Sequence, residues 1–262
     1  VVSPDLMALR RERQAVLDFC ADLSDEEWHA ASRAAGWSTK DVVAHMAAES
    51  RALLTPAAVR FMTAENVEQL NERVVARARQ RTPGRTLQDF STWSRLGAAA
   101  LTAATGPGLR RIPIPVAELG TYPARILPAL FTFDWHTHLR HDIAPALGRP
   151  QPPTDDLRMS AILRWLMALL EQSHAEALAW LDAPVTLTLA GPGGNTWFIE
   201  PAADRRLRVR PGSHESSVAH ITGRSEDFPL WSTTRAPWQD CDLTITGDHA
   251  TAARLLDALN LI

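Results

Sequence analysis

Three of the nine histidines fall within one short run, Asp134-Trp-His-Thr-His-Leu-Arg-His-Asp142. With Asp134 set at zero on a helix turning about 100° per residue, His138 falls near 40°, His141 near −20° and Asp142 near 80°. His136, at about 200°, opposes them. Asp134, His138 and His141 therefore share one face, with Asp142 at its edge. A carboxylate and an imidazole four residues apart can grip one divalent ion, as the two histidines of HExxH do.

A second run, Gly36-Trp-Ser-Thr-Lys-Asp-Val-Val-Ala-His45, places His45 about a turn beyond Asp41. Inward packing of Val42 and Met46 would turn His45 toward the interior or a cleft edge. One helix giving His45 and another giving Asp134 and His138 supplies three N/O ligands. That leaves a fourth position open, the pattern of a catalytic zinc rather than a structural one. The same spacing admits a plainer outcome, in which Asp134 and His138 form a hydrogen-bonded pair and His45 is a core histidine.

The rest of the composition removes other chemistries. The 262-residue chain carries 27 basic and 30 acidic residues, net −3, so no charge excess calls for nucleic acid or an anionic membrane. Only one basic residue is lysine, Lys40. No GxxxxGK[ST] occurs, and Schiff-base chemistry would have to use Lys40. Lys40 opens its helix and is expected to be solvated. Cys20 and Cys241 form no CxxC, and Cys20 lies on an apolar helical face as packing. No signal-type apolar core opens the chain, and no uncharged apolar run approaches about 18 residues. The expectation is a cytoplasmic, reduced protein. The alternating Arg205-Arg206-x-Arg208-x-Arg210 run reads as a solvated strand face.

Two kinds of element must position these residues. Helical periodicity is predicted over residues 4–23, a short capped turn at 24–28, then 38–54, 56–81, 86–104 and a last helix from Pro123 or Pro128 to 143. Residues 106–115 read as an irregular connection because their prolines remove donors. This half, residues 1–150, is expected to be a four-helix bundle. Gly148-Arg-Pro-Gln-Pro-Pro153 marks a linker. Residues 151–262 are expected to form an α+β domain. It has one long helix (155–181), strands at 185–189, 196–199, 207–210, 218–221 and 243–245 in an antiparallel sheet, and helices at 225–232 and 250–259.

Together these segments resemble the DinB-like bundles, and in particular the mycothiol-dependent maleylpyruvate isomerase group. Trp37-x-x-x-Asp41-x-x-x-His45 resembles that group's W-x-x-x-D-x-x-x-H segment. Asp134-x-x-x-His138, with Asp142-Ile143 and Leu147-Gly148, resembles its E-x-x-x-H…D-I…L-G segment. The order of domains matches too, with a C-terminal sterol-carrier-like domain ending in a strand-to-helix turn like Gly247-Asp248. The resemblance implies a zinc ion held by His45, Asp134 and His138, and mycothiol as the thiol cofactor. It also implies a small electrophilic substrate. An isomerase of this type adds thiolate to an activated cis double bond, allows rotation and eliminates; other members resemble S-transferases. The arginine-rich, lysine-poor composition suits the actinobacteria that make mycothiol.

Departures from the pattern open further roles. Asp134 stands where the group usually has Glu. The His138-to-Asp142 spacing is four where three is usual, so His141 is a candidate to replace or supplement a ligand. Leu230-Trp-Ser-Thr-Thr-Arg235 stands for a tryptophan-glycine-arginine segment, and Arg235 is the candidate to hold a substrate carboxylate. A metal-dependent hydrolase and a non-catalytic small-molecule-binding protein are the competing functions.

Overall fold

The computed structural model describes residues 2–202 and 206–261 and divides into two units, Val1–Pro153 and Thr154–Ile262. In the first, Ser3 caps α1 (Pro4–Ala21), and a Ser24/Glu27 capping box starts α2 (Asp25–His29). Then come α3 (Thr39–Ala52), α4 (Ala57–Met62), α5 (Val67–Ala78) and α6 (Pro83–Ala104). A small hairpin, β1 (Pro113–Pro115) and β2 (Thr121–Pro123), precedes α7 (Leu127–Thr137), which runs on as a π-helical segment, His138–Ile143.

α1 packs on α7 and α3 on α6, giving the expected four-helix bundle. Its core joins Leu9, Val16, Val42, Met46, Phe90, Trp135 and Leu139. The single helix expected over 56–81 is two, because Asn66 turns its side chain onto the Gln69 amide and starts α5 afresh. The connection expected to be irregular contains the β1–β2 hairpin, whose prolines sit at strand ends, where missing donors are tolerated.

The second unit is α8 (Asp156–Ser173), β3 (Val185–Ala190), β4 (Asn195–Pro201), β5 (Leu207–Pro211), β6 (Ala219–Arg224), α9 (Phe228–Ser232), β7 (Thr244–Gly247) and α10 (His249–Ala258). The sheet order is β5-β4-β3-β6-β7. Val185, Leu187, Ile199, Val209 and Ile221 are buried, while the alternate residues Arg208, Arg210, His220 and Thr222 are exposed. The sheet is not wholly antiparallel. β3 and β6 run parallel, with Val185 opposite Ala219. The β3–β4 hairpin takes one edge of β3, and residues 212–218 carry the chain back so that β6 enters the other edge in the same direction. α8 ends at Ser173, short of the predicted residue 181.

Gly247, at φ 82°, could not carry a side chain, since a Cβ would lie 2.4 Å from the Val218 carbonyl oxygen. Asp248 then caps α10 by accepting from the Ala250 and Thr251 amides. In the arginine run, Arg210 pairs with Glu171 at 2.9 Å, and Arg205 lies outside the described residues. No helix among the described residues is long and apolar enough to cross a membrane.

Candidate metal centre

α3 is anchored at its start. Gly36 turns the chain at φ 78°, and Ser38 and Asp41 form a reciprocal capping box: Ser38 Oγ accepts from the Asp41 amide and Asp41 Oδ2 from the Ser38 amide. Asp41 thus serves the helix, with Arg79 Nε 3.5 Å away. Val42, Val43 and Met46 are fully buried, which turns His45, 3 % exposed, inward as expected. Lys40 is not solvated. Its ammonium donates to the carbonyl oxygens of Arg79 and Arg81 at 3.0 and 3.2 Å, just beyond the C-terminal end of α5, where a cation is favoured.

The other helix owes its geometry to the π segment. The Ala144 amide donates to the Leu139 carbonyl, five residues back, at 3.0 Å. A π turn advances about 80° per residue instead of about 100°. Starting from His138 at about 40°, that moves Asp142 from about 80° to about 0° and His141 from about −20° to about −80°. Asp142 therefore joins the Asp134–His138 face, and Asp142 Oδ2 lies 2.7 Å from His138 Nδ1. His141 leaves that face and sits with His136, ring centroids 6.3 Å apart. The structure thus does not bring His141 to the candidate centre. The Arg33 amide donates to the Asp142 carbonyl, tying the π segment to the loop before α3.

His45, Asp134 and His138 converge, with one ligand-type atom from each lying within 4.8 Å of the others. Asp134 Oδ1 is 3.7 Å from His45 Nε2 and 3.5 Å from His138 Nε2. These gaps are too long for hydrogen bonds. They approach the roughly 3.4 Å edge of a tetrahedron with metal–ligand bonds of about 2.0–2.1 Å. Asp134 Oδ2 is buried with no hydrogen-bond partner, a cost that coordination would relieve. The Asp134 side chain, one methylene shorter than Glu, reaches both imidazoles. Trp37 covers them, its ring 5.1 Å from His45 and 6.5 Å from His138, and its indole N–H donates to Glu72. The donor set fits a divalent cation.

Glu49, one turn beyond His45, was not among the sequence candidates. Its Oε1 lies 3.5 Å from His45 Nε2, and its Oε2 is buried without a partner. The His45-x-x-x-Glu49 spacing is the same signal that singled out Asp134 and His138, read in reverse order. Burial, joined by the Asp134 charge, pushes the Glu49 carboxyl up to about 8. For His45 burial works downward, but the charges of Glu49, Asp134 and Asp142 outweigh it and raise the imidazole to about 9. Burial likewise opposes the shift of Asp134, yet His138 and His45 hold it down at about 2. Two carboxylates, Glu49 and Asp134, thus face His45 within 3.7 Å, and Asp134 also faces His138.

Arg235 belongs to the second unit, where its guanidinium donates to Thr233 Oγ1 at 2.9 Å.

The sequence matches the family described as the mycothiol maleylpyruvate isomerase N-terminal domain over residues 9–144, slightly more than half of the chain. Two solved structures resemble it at 15 % identity, each alignment covering 92 % of this chain and 91 % of the other. They are the mycothiol-dependent maleylpyruvate isomerase, TM-score 0.58, and its histidine-to-alanine variant, TM-score 0.59. At that identity the likeness is one of fold. Sterol carrier protein 2 from Yarrowia lipolytica, in its apo form, aligns with 40 % of this chain and 90 % of its own at 16 % identity, with a TM-score of 0.30 that carries no argument. Among curated proteins none matches significantly.

Proposed function

This chain belongs to the mycothiol maleylpyruvate isomerase family, and we propose that it is a zinc-dependent enzyme using a low-molecular-weight thiol, mycothiol, on a small electrophilic substrate. The reaction is an isomerisation of the maleylpyruvate type or an S-transfer. The single observation that supports this most is the convergence of His45, Asp134 and His138 from two helices of the bundle.

In this reading those three side chains hold the metal. When bound, the metal would lower a thiol's pKa so that the nucleophilic thiolate is available at neutral pH. Asp142 accepts the Nδ1 proton of His138, which fixes the tautomer and presents Nε2. Trp37 keeps bulk water from one side of the two imidazoles. Arg235 is assigned the carboxylate of the substrate, which its planar fork can bind bidentately. Residues 1–150 would be the metal-holding domain and residues 151–262 the α+β domain.

Turnover of maleylpyruvate, or of an electrophile with an activated double bond, should require both zinc and mycothiol. Equal turnover with the thiol left out would overturn the thiol assignment and favour metal-assisted hydrolysis.

A further inference from the structure

A cavity of about 450 Å³ opens among α3, α4, α5 and α6, within the size range of small-molecule sites, roughly 300–1,000 Å³. It does not include His45, Glu49, Asp134 or His138 among its lining residues. On α3 it is bordered by Ala44, Ala47, Ala48 and Ala52, whose short side chains leave the volume unfilled. Phe61, Leu70, Val74 and Trp93 make apolar walls.

The charge of the lining is one-sided. Arg51, Arg60, Arg73, Arg77 and Arg81 all border it, against the one acid Asp89. Asp89 is already engaged by Arg81 at 2.9 Å and Arg85 at 3.1 Å. Arg51, Arg60, Arg73 and Arg77 have no carboxylate partner among the described residues. Arg51 lies over the Trp93 ring at 5.5 Å, and Arg73 Nε donates to the Gln69 carbonyl of its own helix. In a chain of net charge −3, an apolar hollow bordered by five arginines and one already paired acid raises the local concentration of anions.

We propose that this cavity is a binding site, separate from the metal centre, for an amphipathic organic anion. The ligand has an aromatic or branched apolar body and a carboxylate, sulfate or phosphate head. The body lies against Phe61, Leu70, Val74 and Trp93, and the head is taken by the arginine fork geometry that suits planar or tetrahedral oxyanions. A cavity of about 450 Å³ with apolar walls fits a small molecule rather than a flat macromolecular surface.

The test uses the full chain and a fluorescent aromatic sulfonate, 8-anilinonaphthalene-1-sulfonate, beside N-phenyl-1-naphthylamine, which has the same apolar body without the sulfonate. Arg60 and Arg77 are exposed, so R60E/R77E leaves the core intact. R10E/R95E changes the net charge equally at exposed positions outside the cavity. The sulfonate should bind with one-to-one stoichiometry and at least about tenfold more tightly than its neutral analogue, and R60E/R77E should weaken it at least about tenfold. R10E/R95E should change its affinity less than about twofold. Equal binding of the two probes, or equal loss in both double variants, would overturn the assignment. An R60E/R77E variant that binds like the parent would do so as well.

Discussion

His138 Nδ1 and Asp142 Oδ2 lie 2.7 Å apart across a π-helical turn, so the imidazole that faces Asp134 is held from behind by a buried carboxylate. Carboxylates placed this way behind metal-ligating histidines fix the tautomer and raise ligand basicity. Asp142→Ala should therefore weaken zinc binding by about 10–100-fold while leaving the three proposed ligands, His45, Asp134 and His138, present. Competition against a chelator of known affinity measures it. An unchanged affinity would show that Asp142 is merely a helix contact.

Lys40 has a structural consequence of its own. Its ammonium is the donor for two carbonyls after α5, and removing a partner from part-buried acceptors costs about 1–3 kcal/mol. Lys40→Met should lower the urea unfolding free energy by that amount without changing metal stoichiometry. A loss below about 0.5 kcal/mol would mean that water replaces the ammonium freely.

Arg140 and Glu12 form a buried ion pair, and the Arg140 guanidinium also donates to the carbonyls of Pro152 and Pro153. Glu12 is 0 % and Arg140 3 % exposed. Arg140→Met would remove the guanidinium from the buried Glu12 carboxylate and cost about 3–5 kcal/mol. Combining it with Glu12→Leu should recover part of that loss, because the desolvation penalty then disappears from both sides. Chemical denaturation of the two single variants and the double variant closes the cycle; strict additivity would contradict the pairing.

Alkaline pH should act on Cys20. Burial pushes this thiol up from 9.0 to about 12, so the folded chain keeps its proton where the unfolded chain loses it. Between those values the unfolded state binds fewer protons. The group's contribution is full below about pH 9 and falls as pH rises toward about 12, by up to about 1.4 kcal/mol per pH unit. Burial raises the Tyr122 phenol as well, which acts in the same direction at higher pH. Urea midpoints measured from about pH 8 to about pH 10.5 should fall less steeply in Cys20→Ala than in the parent. Parallel slopes would refute the shift.

What was legible in the chain follows the range of the interactions involved. The bundle helices announce themselves through local periodicity and caps such as Ser24 and Ser38, and the Asp134/His138 pairing is an i,i+4 relation on one helix. The convergence of His45 with that pair follows from Val42 and Met46 packing inward. Three things lay beyond such local signals. The π turn, whose Asp142 carbonyl accepts from the distant Arg33 amide, brings Asp142 onto the Asp134–His138 face and turns His141 away. Lys40 meets the end of α5 from about forty residues away, a contact no pattern near Lys40 encodes. The parallel entry of β6 beside β3 depends on the path of residues 212–218, not on strand composition. Glu49 is legible locally, since its i,i+4 spacing from His45 repeats that of Asp134 and His138.

The most direct test of the central claim is the zinc content of the purified full chain after equilibrium dialysis, beside His45→Ala. The geometry of His45, Asp134 and His138 predicts about one equivalent in the parent and near none in the variant. Less than about a tenth of an equivalent in the parent, or equal zinc in both proteins, would contradict the metal centre and the thiol chemistry built on it.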